Sequence, residues 1–251
     1  MKVSVLIAFI FVPISTFAQI GSVAPPPPLP SDEANMPEAW GARYFHFGLN
    51  FTPGIYWPVA NSSNNTANGA SFGYGYGANL EFYFTRNYAF LTGFEISEIG
   101  AKYVNTIANP TQSTLDSIIT HNESIQYLEI PLELKLKTVP FRNIRYFGVV
   151  GLNLGFRLKA TDDYSSVVSP YNPLGYIVHF SSYSGNNSDI SSQTDFFRVS
   201  LVIGGGVEYQ LAGSTALQAS LTYNNSFTNL NNTSSTAVNI KGIELMLGIL
   251  F

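Results

Sequence analysis

The sequence predicts an all-β protein, an eight-stranded antiparallel transmembrane β-barrel with short periplasmic turns and long extracellular loops. Three observations carry this. Apolar residues alternate with small or polar ones over about eight segments of roughly ten residues, the length a tilted membrane strand needs. Charged residues make up only 11% of the 251-residue chain while aromatic residues reach 14%, against roughly 25% charged in a soluble domain. Short and long connections alternate, as they do when hairpin turns gather at one end of a barrel and loops at the other.

The chain opens on Met1-Lys2, an apolar run over residues 3–12, and Thr16 and Ala18 at −3 and −1 of a cut after Ala18. That is the layout of a secretory signal peptide over residues 1–18, too short in its apolar part for a spanning helix. Residues 19–42 form a Pro-rich periplasmic lead containing APPPPLP (24–30), where successive rings favour extended polyproline II. The barrel is expected over residues 43–251.

Each barrel segment is justified by its alternation. Phe45, Phe47, Leu49 and Phe51 alternate with His46, Gly48 and Asn50, and Phe72 to Phe84 alternates with Gly73, Gly75, Gly77, Asn79 and Glu81. Phe90, Thr92, Phe94 and Ile96 share a face; a β-bulge near Glu98 is expected to return Ile99, Ala101 and Tyr103 to it. Leu128, Ile130, Leu132, Leu134 and Leu136 oppose Tyr127, Glu129, Glu133, Lys135 and Lys137. The pattern recurs over residues 146–158, 197–209, 217–224 and 243–251. Short turns fall at 85–87, 138–144 and 212–214, and long loops at 57–70, 105–123, 161–193 and 228–238. An even strand count puts both termini on the periplasmic side.

A soluble sandwich or lipocalin-like barrel would carry its charges on a water-facing outer surface. Here the charges fall on the face opposite the apolar one, so they belong in a lumen. The expected lumen network comprises Glu81, Glu95, Glu129, Glu133, Glu208 and Glu244 with Lys135, Arg145, Arg157, Lys159 and Arg198; Glu98 and Lys137 share that face. An eight-stranded barrel has room only for its own side chains, so the two signs should pair and plug the bore. Glu129 and Glu133 are expected to face Arg157 and Arg145 across one hairpin.

A net charge of −4 without a basic patch argues against a nucleic-acid partner. The absence of Cys excludes disulfides, a thiolate zinc site and a lipoprotein anchor. The partners expected are outer-membrane lipid, the barrel-insertion machinery and a larger outer-membrane complex. Phe251, closing an alternating strand, is the expected assembly signal.

The strings YLEIPLELKLK (127–137), YFGVVGLNLGFRLKA (146–160) and VSLVIGGGVEYQL (199–211) resemble the PorT-like small outer-membrane β-barrel proteins of Bacteroidetes-type bacteria. The resemblance spans the barrel. It implies an OmpA- or OmpX-like fold in the bacterial outer membrane. One branch of that family takes part in type IX secretion; no residue here is specific to it.

Catalytic chemistry has weak support. His46 lies at the periplasmic end of the lumen. His121 lies near Ser117, Glu123 and Ser124, and His179 near Ser181 and Ser182, in segments where Ser is abundant. No catalytic, cofactor or metal residue is assigned, because no cluster has metal-ligand spacing. Asp116-Ser117-Ile118 matches a short O-glycosylation motif, with Ser117 the acceptor. Tyr164, Tyr171, Tyr176, Phe180 and Tyr183 stand among Ser, Gly and Asn, the composition of adaptable binding surfaces. The expected function is a non-catalytic scaffold or accessory subunit of an outer-membrane complex, linked to type IX secretion. The alternatives are a lipid-modifying enzyme and a small surface-binding or adhesion barrel.

Overall fold

A computed structural model describes residues 45–60, 64–108, 115–170, 181–231 and 237–251. The signal peptide and Pro-rich lead expected at the N-terminus lie outside them. The elements are β1 (Phe45–Ala60), β2 (Asn65–Ala67), β3 (Ser71–Tyr83), β4 (Tyr88–Ala108), β5 (Leu115–Lys137), β6 (Ile144–Pro170), β7 (Ser181–Asp189), β8 (Phe197–Ala212), β9 (Thr215–Ser226) and β10 (Val238–Leu250).

Eight of these close a barrel in the order β1-β3-β4-β5-β6-β8-β9-β10, with β10 antiparallel to β1. Closure satisfies every strand edge, the condition for crossing lipid. β2 and β7 lie outside the ring, paired to β4 and β6. Short turns follow β3, β5 and β8, the last on Gly213 at φ +57°. β1 begins and β10 ends at this same turn end, where Gly48 pairs with Leu250.

Around the turn-end half, outward side chains are apolar and open: Phe94 is 57% exposed, Leu221 58% and Leu217 46%. The inward side chains of the same strands are polar, including buried Glu81, Glu129, Lys135, Arg198 and Glu208. An outward apolar surface this continuous is a lipid-facing band.

Two expectations are corrected at the loop end. First, no bulge interrupts β4, whose pairing with β5 runs past Glu98 without a shift. Ile99, Ala101 and Tyr103 therefore stay on the inward face, packed with Tyr56, Ile125, Tyr127, Ala160, Leu230, Val238 and Ile240. Glu98 is outward, where it accepts from Ser124 (2.7 Å) and from Tyr74 (3.1 Å). The change of phase in the sequence marks a change of solvent: past the lipid band the outside must be polar and the inside apolar. Second, much of the expected loops is strand. β4, β5 and β6 run 21, 23 and 27 residues, beyond what the bilayer requires, and β7 pairs along the end of β6.

The β5–β6 pairing carries a bulge, on β6. Tyr127 pairs with Arg157 and Gln126 with Lys159, so Leu158 is the extra residue. Before it, odd residues of β6 point inward; after it, Ala160, Asp162 and Ser166 do.

Candidate functional site

The lumen charges form two levels. Near the turn end, Lys135 lies between Glu81 (2.5 Å) and Glu208 (2.6 Å), all three almost fully buried. Lys137 reaches the same carboxylates at 3.2 and 2.8 Å and hydrogen-bonds Tyr83. Phe147 lies under the Lys135 ammonium at 4.1 Å, in room that Gly206 provides: a Cβ there would meet the Phe147 ring at 2.7 Å. Arg145 pairs in register with Glu208, and the His46 ring packs at a tilt against Tyr83. Higher up, Arg198 binds Glu129 (2.7 Å) and Asn224 (2.9 Å). Glu95 accepts from Asn50 (2.5 Å) and Thr52 (3.0 Å), and Glu244 from Tyr56 (3.0 Å) and Asn224 (3.2 Å). Glu95, Glu133 and Glu244 line a cavity of about 60 Å³.

Three expected placements are corrected. Glu129 lies opposite Gly155 and takes Arg198, from β8, in place of Arg157. Glu133 lies opposite Gly151, six residues along β6 from Arg145, which belongs to the turn-end level. Lys159, displaced by the Leu158 bulge, is exposed on the outer face beside Gln126 and Asp163.

A second constellation stands at the loop end, inside the sheet and beyond the lipid band. Strand alternation puts His121 and Glu123 on the inward face of β5, and the register sets Tyr103 opposite His121 and Asp162 opposite Glu123. The ring of His121 stacks on Tyr103 at 4.8 Å. Nδ1 of His121 is 2.6 Å from Oδ2 of Asp162, whose Oδ1 accepts from the Asn122 N–H (3.1 Å). The Tyr103 hydroxyl donates to Oε1 of Glu123 (2.5 Å) and accepts from Asn231 (3.3 Å). Burial, with the neighbouring Asp162 carboxylate, pushes the Glu123 carboxyl up to about 7 against the opposing pull of Tyr103 and His121. Burial first, then the Glu123 carboxylate, raises the Tyr103 hydroxyl and keeps it a donor. These groups border a cavity of about 180 Å³.

A family model, the outer membrane protein beta-barrel domain, matches residues 31–181. The chain belongs to that family. It is thus a β-barrel of the bacterial outer membrane. No curated protein matches the sequence. Among solved structures it is similar to neisserial surface protein A (12% identity, 81% of this chain and 95% of that one, TM-score 0.38). It is also similar to Ail of Yersinia pestis (11%, 83% and 100%, 0.30) and OprG of Pseudomonas aeruginosa (11%, 84% and 97%, 0.33). The family match carries the assignment.

In this outer-membrane barrel the residues near His121 in sequence do not form a His-Ser-Glu grouping. Ser124 points outward to Glu98, and the Ser117 hydroxyl lies 3.4 Å from that of Ser166. Ser117 also sits in a strand paired on both sides, with Ile107 and Val168, instead of in a loop. Of the aromatic set, Tyr164 is half-buried on β6 against Gly185, and Tyr183 is 65% exposed on β7. Tyr171, Tyr176 and Phe180 lie outside the described residues, as does His179. Phe251 faces outward, its N–H donating to the Phe47 carbonyl (2.8 Å). The His121–Glu123–Asp162 cluster was missed in the sequence, where no metal-ligand spacing was found. The available signal was His-x-Glu on an alternating strand; Asp162 is 41 residues from His121 and joins only through the fold.

Proposed function

We propose that this outer-membrane barrel is a non-conducting, non-catalytic scaffold or accessory subunit of a larger outer-membrane complex. The short turns and both strand termini face the periplasm, and the extended sheet faces outward. The observation that supports this most is the filling of the barrel at successive levels. Ion pairs occupy the turn end, an apolar core occupies the loop end, and a cavity of about 60 Å³ lies among the mid-lumen carboxylates. An unpaired buried charge costs several kcal/mol, so the ion cluster has little freedom to open. With the bore filled among the described residues, function falls to surfaces a partner can reach: the sheet built from β4, β5, β6 and β7. Lipid and the insertion machinery are its obligate partners. The PorT-like resemblance favours an accessory role in type IX secretion.

The purified chain in planar bilayers tests this reading. It is expected to give no steady conductance, and gentle extraction from native membranes should recover it with a stoichiometric partner. A reproducible channel of porin size overturns the reading. A lipid-modifying enzyme is disfavoured because His121, Glu123 and Asp162 point into the sheet and away from lipid. The exposed Tyr183 on β7 favours a surface-binding barrel as the second reading.

A further inference from the structure

The loop-end constellation has a specific shortage: it is rich in buried acceptors and poor in donors. Oε2 of Glu123, on a side chain 4% exposed, has no hydrogen-bond partner among the described residues. The same holds for Oδ1 of Asn105 and Oδ1 of Asn231, which border the same cavity. Leaving one such atom unsatisfied is disfavoured, and native structures keep few of them. Three acceptors around one cavity, with Asp162 buried beside them, describe a place for a cation.

The ligand atoms are already gathered. One from each of His121, Glu123 and Asp162 lies within 4.8 Å of the other two, close enough for side-chain rotation to bring all three to the roughly 2 Å of a metal bond. We infer that His121, Glu123 and Asp162 bind one divalent transition-metal ion of the zinc type, in the cavity they share with Asn231.

The donor set selects the ion. An imidazole with carboxylates suits zinc-like metals, whereas calcium and magnesium prefer all-oxygen shells. Three protein ligands leave a fourth tetrahedral position for water, Asn231 or a partner's side chain. In the metal-free site the His121–Asp162 contact keeps these two ligands together, and the ion would displace the proton they share, while Tyr103 holds Glu123 through its other oxygen. Positive charge would also offset the two buried carboxylates. The bound ion would tie the β9–β10 connection, through Asn231, to β5 and β6.

The test uses the full chain folded in detergent micelles, stripped with a chelator and titrated with Zn²⁺ against a chromophoric competitor. The expected result is one Zn²⁺ per chain, with affinity lowered at least about tenfold in His121→Ala and in Glu123→Gln and unchanged in His46→Ala. Heat-modifiable gel mobility reports whether each variant is folded. Cu²⁺ bound to the unmodified chain should show coupling to a single nitrogen in its electron paramagnetic resonance spectrum, a readout that needs no variant. Four results each overturn the inference: no stoichiometric Zn²⁺, binding retained in both variants, Ca²⁺ bound as tightly as Zn²⁺, or a copper spectrum without nitrogen coupling.

Discussion

Replacing Lys135 with Met examines the reasoning about the lumen most directly. Lys135 is fully buried, 2.5 Å from Glu81 and 2.6 Å from Glu208. Methionine keeps most of the volume, and volume-conserving swaps usually cost under about 1.5 kcal/mol. The larger effect is electrostatic. Removing one member of a buried ion cluster leaves the others uncompensated, at about 3–5 kcal/mol. Lys137 remains 3.2 and 2.8 Å from the same carboxylates, which places the loss near the lower end, about 3 kcal/mol. That is more than a hundredfold in the folded-to-unfolded ratio, at about 1.4 kcal/mol per tenfold. The assay is urea unfolding in phospholipid vesicles, followed by gel mobility and tryptophan fluorescence. Lys135→Met with Glu81→Gln, which removes one stranded carboxylate, should recover at least about 1 kcal/mol in a double-mutant cycle. A single-variant loss below about 1 kcal/mol, or additive losses in the double variant, would refute the claim that these charges depend on one another.

Three other outcomes follow from the same structure. Leu247→Arg, on the lipid face near the middle of the outward run of β10, should lose about 2–4 kcal/mol in vesicles; an unchanged urea midpoint would mean that this face does not meet lipid. Gly93 has φ +151° and its missing Cβ would lie 2.1 Å from the Ala78 carbonyl oxygen, so Gly93→Ala should cost about 1–3 kcal/mol, read from the same unfolding curves. Deleting Leu158 should remove only the extra residue, leaving Arg157 opposite Tyr127, Lys159 opposite Gln126 and Asp162 inward opposite Glu123. The variant should keep its heat-modifiable mobility and bind Zn²⁺ as the parent does; a loss of at least about tenfold contradicts the role given to the bulge.

The barrel was legible because its main signal is local. Alternation on β5 assigns Leu128 to Leu136 outward and Glu129 to Lys137 inward, with no knowledge of neighbouring strands. Which carboxylate meets which cation was not legible in the same way. Opposite numbers across a hairpin depend on register, and Glu129 found its cation on β8, two places round the barrel from β5. A lumen is a three-dimensional space in which side chains cross the bore, so sequence neighbourhood is a poor guide to pairing there.

The third run shows why the same periodicity can be followed correctly and still be misjudged. A break in alternation on a strand has two physical origins: an extra residue that rotates the backbone phase, or an unbroken backbone passing from one solvent to another. At Glu98 the backbone is continuous, and the side chains exchange polarity because lipid gives way to water outside. At Leu158 an extra residue is present, yet polarity barely betrays it, since Leu158 follows Phe156 in an apparently regular run. The distinguishing information is on neighbouring strands. Val238 and Ile240 on β10 turn inward at the loop end without any break in its pairing with β1, as Ile99 and Ala101 do on β4, so several strands change polarity together. A solvent boundary must act on all strands at one height, whereas a bulge acts on one. Asp162 was invisible as a ligand for this reason: its inward orientation comes from a single residue whose effect is a half-turn of one strand, superimposed on a boundary that inverts them all.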